Sequence, residues 1–184
     1  MKPLLVFAMK EESQDVFEDY DVLHCQIGKV NAAHALTRHI ANSRPELVIN
    51  LGTAGSRKHP GGAIINPTQF IQRDMDVTAL GIEIFKTPFS DDPITIEHGL
   101  RFEHLPGGTC GTGDNFDASQ AASAFDVVDM EAYALALICQ REKIPFACLK
   151  YVSDGANDDA HIDWHDALHI TAERLREALE GANF

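Results

Sequence analysis

The chain has 184 residues, of which 45% are hydrophobic and 23% are charged, a composition typical of a globular protein with a substantial core. Its formal net charge of −13 argues against nucleic acid as a partner, because phosphate binding relies on Lys and Arg and only 15 are present. No apolar run approaches the roughly 20 residues of a membrane-spanning helix, so we expect no membrane partner.

The chain begins with a short apolar run, residues 4–8, followed by the charged residues Lys10, Glu11 and Glu12. An export signal would have a longer apolar region, so this run predicts a first β-strand. The cysteines (Cys25, Cys110, Cys139 and Cys148) form no CxxC pair. Their spacing favours a reduced, cytoplasmic location over a disulfide framework.

Further apolar runs and helical patterns alternate along the chain. Residues 47–51 and 146–152 are continuous apolar runs, typical of strands buried on both faces of a sheet. Shorter strands are predicted at residues 69–72 and near residues 94–96. The longer intervals between these predicted strands can hold helices.

Three segments carry helical patterns. Residues 31–42 predict a helix capped by Asn31, and residues 130–141, which are apolar nearly all round, predict a buried helix. The last segment predicts an amphipathic helix with one face formed by Trp164, Leu168, Thr171, Ala172, Leu175 and Leu179. The alternation of strands and helices predicts an α/β sheet covered by helices, in one domain of residues 1–184.

Polar residues gather at four places where predicted strands end: residues 8–12, 50–56, 128–131 and 152–155. In α/β proteins, ligands bind in crevices beyond the carboxyl ends of the strands. Helix capping or turn formation explains each stretch taken alone. Four such stretches together favour a ligand site.

These stretches belong to a longer series of motifs. The series comprises AMKEE (8–12), IGKVNAA (27–33), VINLGTAGS (48–56), DMDVTALG (74–81), GTGDNF (111–116), VVDMEAYALALIC (127–139) and SDGAND (153–158). In these motifs and their order, the chain resembles the nucleoside phosphorylase/nucleosidase superfamily, most closely the 5′-methylthioadenosine/S-adenosylhomocysteine nucleosidases. The resemblance implies a single-domain, three-layer α/β/α fold with a mixed, largely buried central sheet. It also implies a hydrolase that releases the base from a purine nucleoside without a cofactor.

The resemblance assigns roles to the carboxylates. Departure of a purine requires its protonation, which is general-acid catalysis, and Asp154 matches the acid that protonates N7. To act at neutral pH, that carboxyl must hold a proton, which requires a raised pKa. Glu12 matches the residue that orients and deprotonates the attacking water. Glu131 matches the carboxylate that binds the ribose hydroxyls, with Met130 packed against the sugar.

Other matching positions are expected to bind the substrate. Phe116 matches an aromatic residue that stacks on the base, and Ser153 supports Asp154. Thr53 and Gly55 belong to a Gly-rich turn predicted to present backbone N–H groups to the nucleophile. Lys150 stands where the nucleosidases have an arginine near the water site.

Each of these residues also has a structural explanation. The alternative for Glu12 is a first-turn carboxylate favoured by the helix dipole, for Asp154 a turn residue and for Phe116 a core aromatic. Glu131 is harder to explain this way, because an unpaired carboxylate in an apolar helix is costly.

A phosphorylase shares the fold and is the alternative. A phosphate site needs positive charge, usually arginine after the first strand, but that loop carries Glu11 and Glu12. Carboxylates suit water activation, so hydrolysis is favoured, while Arg57 and Arg73 keep the phosphorylase alternative open. A third hypothesis is an inactive subunit that only binds a nucleoside.

The chain departs from the family in length and at single positions. It is shorter between Glu12 and Cys25 and before Gly108, and Tyr133 replaces a small residue. These changes leave the substrate open among methylthioadenosine, adenosylhomocysteine, adenosine, futalosine-like compounds and, last, a nucleotide. The resemblance further implies a homodimer.

Two clusters have the residue types of metal ligands: Asp74 with Asp76, and His165 with His169, one helical turn apart. The resemblance implies that no metal is needed. The histidines are also explained as flanks of the amphipathic helix, so we expect no metal site.

Overall fold

The computed structural model describes residues 3–115, 123–155 and 160–182, without the side chains of residues 160–166 and 169. An eight-stranded mixed sheet forms its centre. The strands are β1 (Leu4–Phe7), β2 (Asp21–His24), β3 (Val48–Gly55), β4 (Ile64–Gln72), β5 (Thr95–Ile96), β6 (Gly107–Thr112), β7 (Val127–Asp129) and β8 (Phe146–Asp154). The α-helices are α1 (Lys10–Ser13), α2 (Lys29–Asn42), α3 (Ala132–Glu142) and α4 (Ala160–Glu180), and a 3₁₀ turn spans Thr78–Leu80.

The strand order brings four strand ends to one edge of the sheet. The order is β2-β1-β3-β7-β6-β4-β5, with β8 paired to both β3 and β4. Strands β1, β3 and β8 run parallel, so their carboxyl ends share an edge. There β7 meets β3 through the pair Gly55 and Val128. Ligands of α/β proteins generally bind beyond the carboxyl ends of the strands, so a ligand site is expected at this edge.

Helices bury both faces of the sheet. On one face, α2 and α3 contribute Ala32, Leu36, Leu135 and Cys139 to an apolar core. On the other face, α4 packs against the aromatic residues of β1 and the following loop, with contacts from Phe7, Phe17, Ala172, Leu175 and Leu179. Removal of this apolar surface from water is the main stabilising contribution. The predicted three-layer α/β fold is therefore confirmed.

Several local predictions need correction. Helix α2 begins at Lys29 with Gly28 as its N-cap, and the Asn31 amide instead donates to the Ile27 carbonyl at 2.7 Å. Helix α3 begins at Ala132, so Glu131 is its N-cap and not an interior residue. The predicted Gly-rich turn is part of β3, because parallel pairing to β8 keeps the chain extended as far as Gly55.

The C-terminal amphipathic face is confirmed where it is described, since Thr171, Ala172, Leu175 and Leu179 are buried. Trp164 lies outside the described side chains. All four cysteines are free and buried. Within the described ranges, no helix has both the length and the apolar character needed to cross a membrane. The cytoplasmic location stays a prediction.

Candidate active site

A cavity of about 260 Å³ opens where the ends of β1, β3, β7 and β8 meet. It is lined by Ala8, Met9, Glu12, Ile27, Thr53, Ala54, Gly55, Arg73, Asn115, Val128, Asp129, Met130, Glu131, Ser153 and Asp154. The structure thus brings together seven of the nine residues predicted for the site. Of the other two, Phe116 lies outside the described residues, and Lys150 is discussed below.

Glu12 is held rigidly against β3. Its Oε1 accepts hydrogen bonds from the Thr53 backbone N–H and from the Thr53 hydroxyl, both at 2.8 Å. Its Oε2 accepts bonds from the backbone N–H groups of Ala8 at 3.2 Å and Met9 at 3.4 Å. The carboxylate is therefore buried and held in one position by four donors.

The extended conformation of β3 explains how Glu12 comes so close to the backbone. A Cβ atom at Gly52 would lie only 3.0 Å from Oε1 of Glu12. Glycine at this position leaves the space that the carboxylate occupies. The Gly-rich motif therefore serves the site through its missing side chain and through the Thr53 amide, and not through a turn.

Asp154 lies at the end of β8 and is buried beside Ser153. The Ser153 hydroxyl donates to Oδ2 of Asp154 at 2.8 Å, and the Asp154 carbonyl accepts from the Ser56 N–H at 3.0 Å. The strand and the serine thus orient this carboxyl toward the cavity. The arrangement agrees with the supporting role that the sequence predicts for Ser153.

Glu131 projects from the junction of β7 and α3. Its Oε1 accepts a hydrogen bond from the Gly28 N–H at 3.0 Å. Burial, followed by repulsion from Asp129, raises its pKa from 4.5 to about 8, although Lys150 and the Gly28 amide act in the opposite direction. A carboxyl group of this kind is suited to exchange hydrogen bonds with hydroxyl groups.

Lys150 does not enter the cavity. Its ammonium lies 2.8 Å from Oδ2 of Asp129, and the two side chains are 2% and 1% exposed. Burial acts to raise the pKa of Asp129, but the Lys150 charge and hydrogen bonds from Lys150, Thr112 and Ala132 hold it below its usual value. Lys150 is therefore buried against a residue that lines the cavity and does not line it itself, and its part in substrate binding stays a prediction.

Asp129 also organises the start of α3. Its Oδ2 accepts from the Ala132 N–H at 2.8 Å, and its Oδ1 accepts from the Thr112 hydroxyl at 2.5 Å. The Thr112 oxygen in turn accepts from the Tyr133 N–H at 2.9 Å. Two otherwise unpaired helix N–H groups are satisfied in this way, which fixes the backbone at Glu131.

Sequence reasoning did not assign Ile27, Arg73 and Asn115 to the cavity. The Arg73 guanidinium donates to the Asn115 side-chain oxygen at 2.9 Å and to its carbonyl at 2.6 Å. All three residues lie in or beside the motifs IGKVNAA, DMDVTALG and GTGDNF, and this position is the sequence feature that could have identified them as cavity residues. By contrast, Tyr133 is buried with its hydroxyl near Thr87 and does not line the cavity.

The acidic residues considered as metal ligands have other partners. Asp74 contacts the Lys29 ammonium at 2.5 Å, and Asp76 accepts from the Thr78 N–H and hydroxyl at 3.0 and 2.7 Å. The side chains of His165 and His169 lie outside the described part. Among the described residues, no group of three or more His, Cys, Asp or Glu side chains could hold a metal ion.

We expect Gly52→Ala to lower kcat/KM for base release about 10- to 100-fold, because the new methyl group displaces the Glu12 carboxylate. Gly61→Ala is the matched control, since a Cβ there meets only the Val152 carbonyl, at 4.0 Å. Steady-state kinetics and circular dichroism of both variants test this. Equal activity in the two variants would contradict the placement of Glu12.

The raised pKa of Glu131 predicts how stability varies with pH. Between the values of 4.5 and about 8, the folded protein binds more protons at Glu131 than the unfolded chain does. The free energy of unfolding contributed by this group therefore falls as the pH rises through that window. Urea unfolding at pH 5 and pH 8 should show a smaller fall in Glu131→Gln than in the wild type. The exposed residue Glu103 offers a control, because Glu103→Gln should retain the wild-type fall.

Comparison with known proteins places this geometry in a family. The family model described as Phosphorylase superfamily matches residues 22–182. The 5′-methylthioadenosine/S-adenosylhomocysteine nucleosidase of Haemophilus ducreyi is 31% identical, over 86% of this chain and 77% of that protein. The nucleosidase of the same name from Bacillus cereus (strain B4264) is also 31% identical, over 89% of this chain and 77% of its own length.

Solved structures share the fold. The futalosine hydrolase of Helicobacter pylori superimposes with a TM-score of 0.87 at 21% identity, covering 98% of this chain and 96% of that one. The 5′-methylthioadenosine/S-adenosylhomocysteine nucleosidase of H. pylori gives a TM-score of 0.87 at 22% identity, with the same coverage. The family-model match over residues 22–182 and the relatives at 31% identity show that the chain belongs to the phosphorylase superfamily.

Proposed function

We propose that this chain is an enzyme that hydrolyses the N-glycosidic bond of a purine nucleoside and releases the base. The observation that carries the proposal is the convergence of Glu12, Glu131 and Asp154 on one cavity, each from a different strand end. Relatives at 31% identity that are named as nucleosidases support the same reaction class.

Each carboxyl group has a distinct part in the reaction. Asp154 gives a proton to N7 of the purine, so that the protonated base accepts the electrons of the breaking C1′–N9 bond and departs as a neutral molecule. Glu12 takes a proton from the water whose oxygen forms the new bond to C1′. Glu131 binds the sugar hydroxyls, and Met130, which lines the cavity beside it, packs against the sugar.

The charges of the cavity favour water over phosphate as the nucleophile. Glu12 lies against Gly52 and Thr53, where the nucleophile of this family is expected to bind, and a carboxylate there repels an anion. Arg73 does line the cavity, but its guanidinium donates to Asn115. Arg57 is exposed and does not line the cavity.

The preferred substrate is proposed to be an adenine nucleoside such as methylthioadenosine or adenosylhomocysteine, which would connect the enzyme to methionine salvage. The names of the relatives at 31% identity support this choice.

Base release measured by chromatography tests the proposal, with methylthioadenosine, adenosylhomocysteine, adenosine and inosine each offered with and without phosphate. We expect phosphate-independent release, reduced at least about 100-fold in Asp154→Asn and Glu12→Gln because each loses a proton-transfer group. Glu11→Gln is the matched control, because Glu11 is exposed and next to Glu12.

Two other results would replace the proposed reaction. Release that requires phosphate would make the protein a phosphorylase and remove the role of Glu12. Ligand-induced thermal stabilisation without release from any nucleoside would instead favour an inactive nucleoside-binding subunit.

We also propose that the chain forms a homodimer. The segment after β4 exposes three large apolar side chains, Leu80, Ile84 and Phe89, which a monomer would leave in water. Sedimentation equilibrium should give the mass of two chains, and Phe89→Ser should shift the protein toward one. A wild-type protein that sediments as a single chain at micromolar concentration would contradict the proposal.

A further inference from the structure

Three charged residues without an assigned role in the chemistry lie together next to residues that line the cavity, Ile27, Arg73 and Asn115. Lys29 comes from IGKVNAA, Asp74 from DMDVTALG and Asp114 from GTGDNF. The Lys29 ammonium lies 2.5 Å from Oδ1 of Asp74 and 3.6 Å from Oδ2 of Asp114. The Asp114 N–H donates to Oδ2 of Asp74 at 2.8 Å, which closes the cluster. We call Lys29, Asp74 and Asp114 the rim cluster.

The rim cluster fixes the backbone at the start of α2. Oδ1 of Asp114 accepts the Lys29 backbone N–H at 2.8 Å. Gly28 has a φ of 96°, a conformation that glycine adopts readily, and a Cβ there would lie 3.3 Å from the same oxygen. The Asp114 carboxylate therefore packs against Gly28 and holds the turn in one conformation.

That conformation directs the Gly28 N–H at Glu131. The donor and Oε1 of Glu131 are 3.0 Å apart, and the donor is the N-cap amide of a 14-residue helix. This hydrogen bond holds the Glu131 carboxyl group in one position. One of its oxygens is thereby occupied, and the residue also lines the cavity.

The cluster is more than an exposed ion pair. The Lys29 side chain is 14% exposed and that of Asp74 is 28% exposed. Burial acts to raise the pKa of Asp74, but the Lys29 ammonium and the Asp114 N–H lower it below its usual value. An isolated surface pair contributes little, whereas a partly buried network with backbone donors can define a geometry.

We propose that the rim cluster is a positioning device that holds the Gly28 amide on Glu131 and so sets the affinity for the sugar hydroxyls of the nucleoside. Lys29 and Asp114 are thus positioning residues that act through Glu131. The proposal rests on the proposed function, because it concerns how Glu131 binds the sugar.

The kinetic test compares a ribonucleoside with its 2′-deoxy and 3′-deoxy analogues in Lys29→Met. We expect KM for the ribonucleoside to rise about tenfold, as for the loss of one well-placed hydrogen bond, with kcat less affected. For the deoxy analogue that lacks the hydroxyl bound by Glu131, KM should change less than about twofold. Lys29→Arg should restore most of the affinity, and Lys29→Met should add little in a Glu131→Gln background.

A merely structural role predicts a different pattern. In that case Lys29→Met would raise KM equally for the ribonucleoside and for both analogues. Its effect on KM would also multiply with that of Glu131→Gln. Either result would overturn the proposal. Arg174→Met is the control, because it removes an exposed cation paired with Glu177 on α4. Asp114→Asn is a second variant that keeps Lys29, and it should show the same selective loss.

A measurement without turnover separates this proposal from the proposed reaction. The amide proton of Gly28, observed by NMR in the free wild-type protein, should follow the titration of Glu131. In folded Lys29→Met that signal should move and lose its dependence on Glu131. An unchanged Gly28 signal would overturn the positioning role even if base release is fully confirmed. A changed signal with no release would leave the positioning role intact and refute the reaction.

Discussion

The buried ion pair of Lys150 and Asp129 is the interaction on which the site depends. Four carboxyl groups, those of Glu12, Asp129, Glu131 and Asp154, line one small cavity, and mutual repulsion among them is unfavourable. The Lys150 ammonium lies beneath that cavity and compensates part of this charge. A buried pair of this kind contributes specificity of structure more than stability, because desolvation offsets much of its attraction.

The pair also joins separate elements of the fold. Lys150 is on β8, Asp129 ends β7, and Thr112 at the end of β6 donates to the same carboxylate. Because Asp129 also accepts the first helical N–H of α3, the position of Glu131 follows from the position of the ion pair. Asp154 is further along the strand that carries Lys150. Two of the three proposed functional carboxyl groups, those of Glu131 and Asp154, are thus connected through the backbone to the buried Lys150–Asp129 pair.

Glu12 reaches its position by another route, through the backbone of β3. Glycine at position 52 and the amide of Thr53 form a surface that accepts the carboxylate. Just before α2, Ile27 lines the cavity and the Gly28 amide contacts Glu131. The site therefore combines strand ends, one helix N-terminus and one buried ion pair, and no single element contains it.

Local sequence determined much of this protein. Continuous apolar runs specified β1, the start of β3 and β8, because strands buried on both faces need apolar residues at every position. Motif order was sufficient to identify the family and seven residues that line the cavity. Tertiary structure decided what depends on long-range pairing. Pairing with β8 extends β3 through Gly55, and Lys150 pairs with Asp129. Gly28 is the N-cap of α2, and its backbone N–H donates to Glu131. The contacts of Lys150 and Gly28 join residues 21 and 103 positions apart, whose proximity no local pattern encodes.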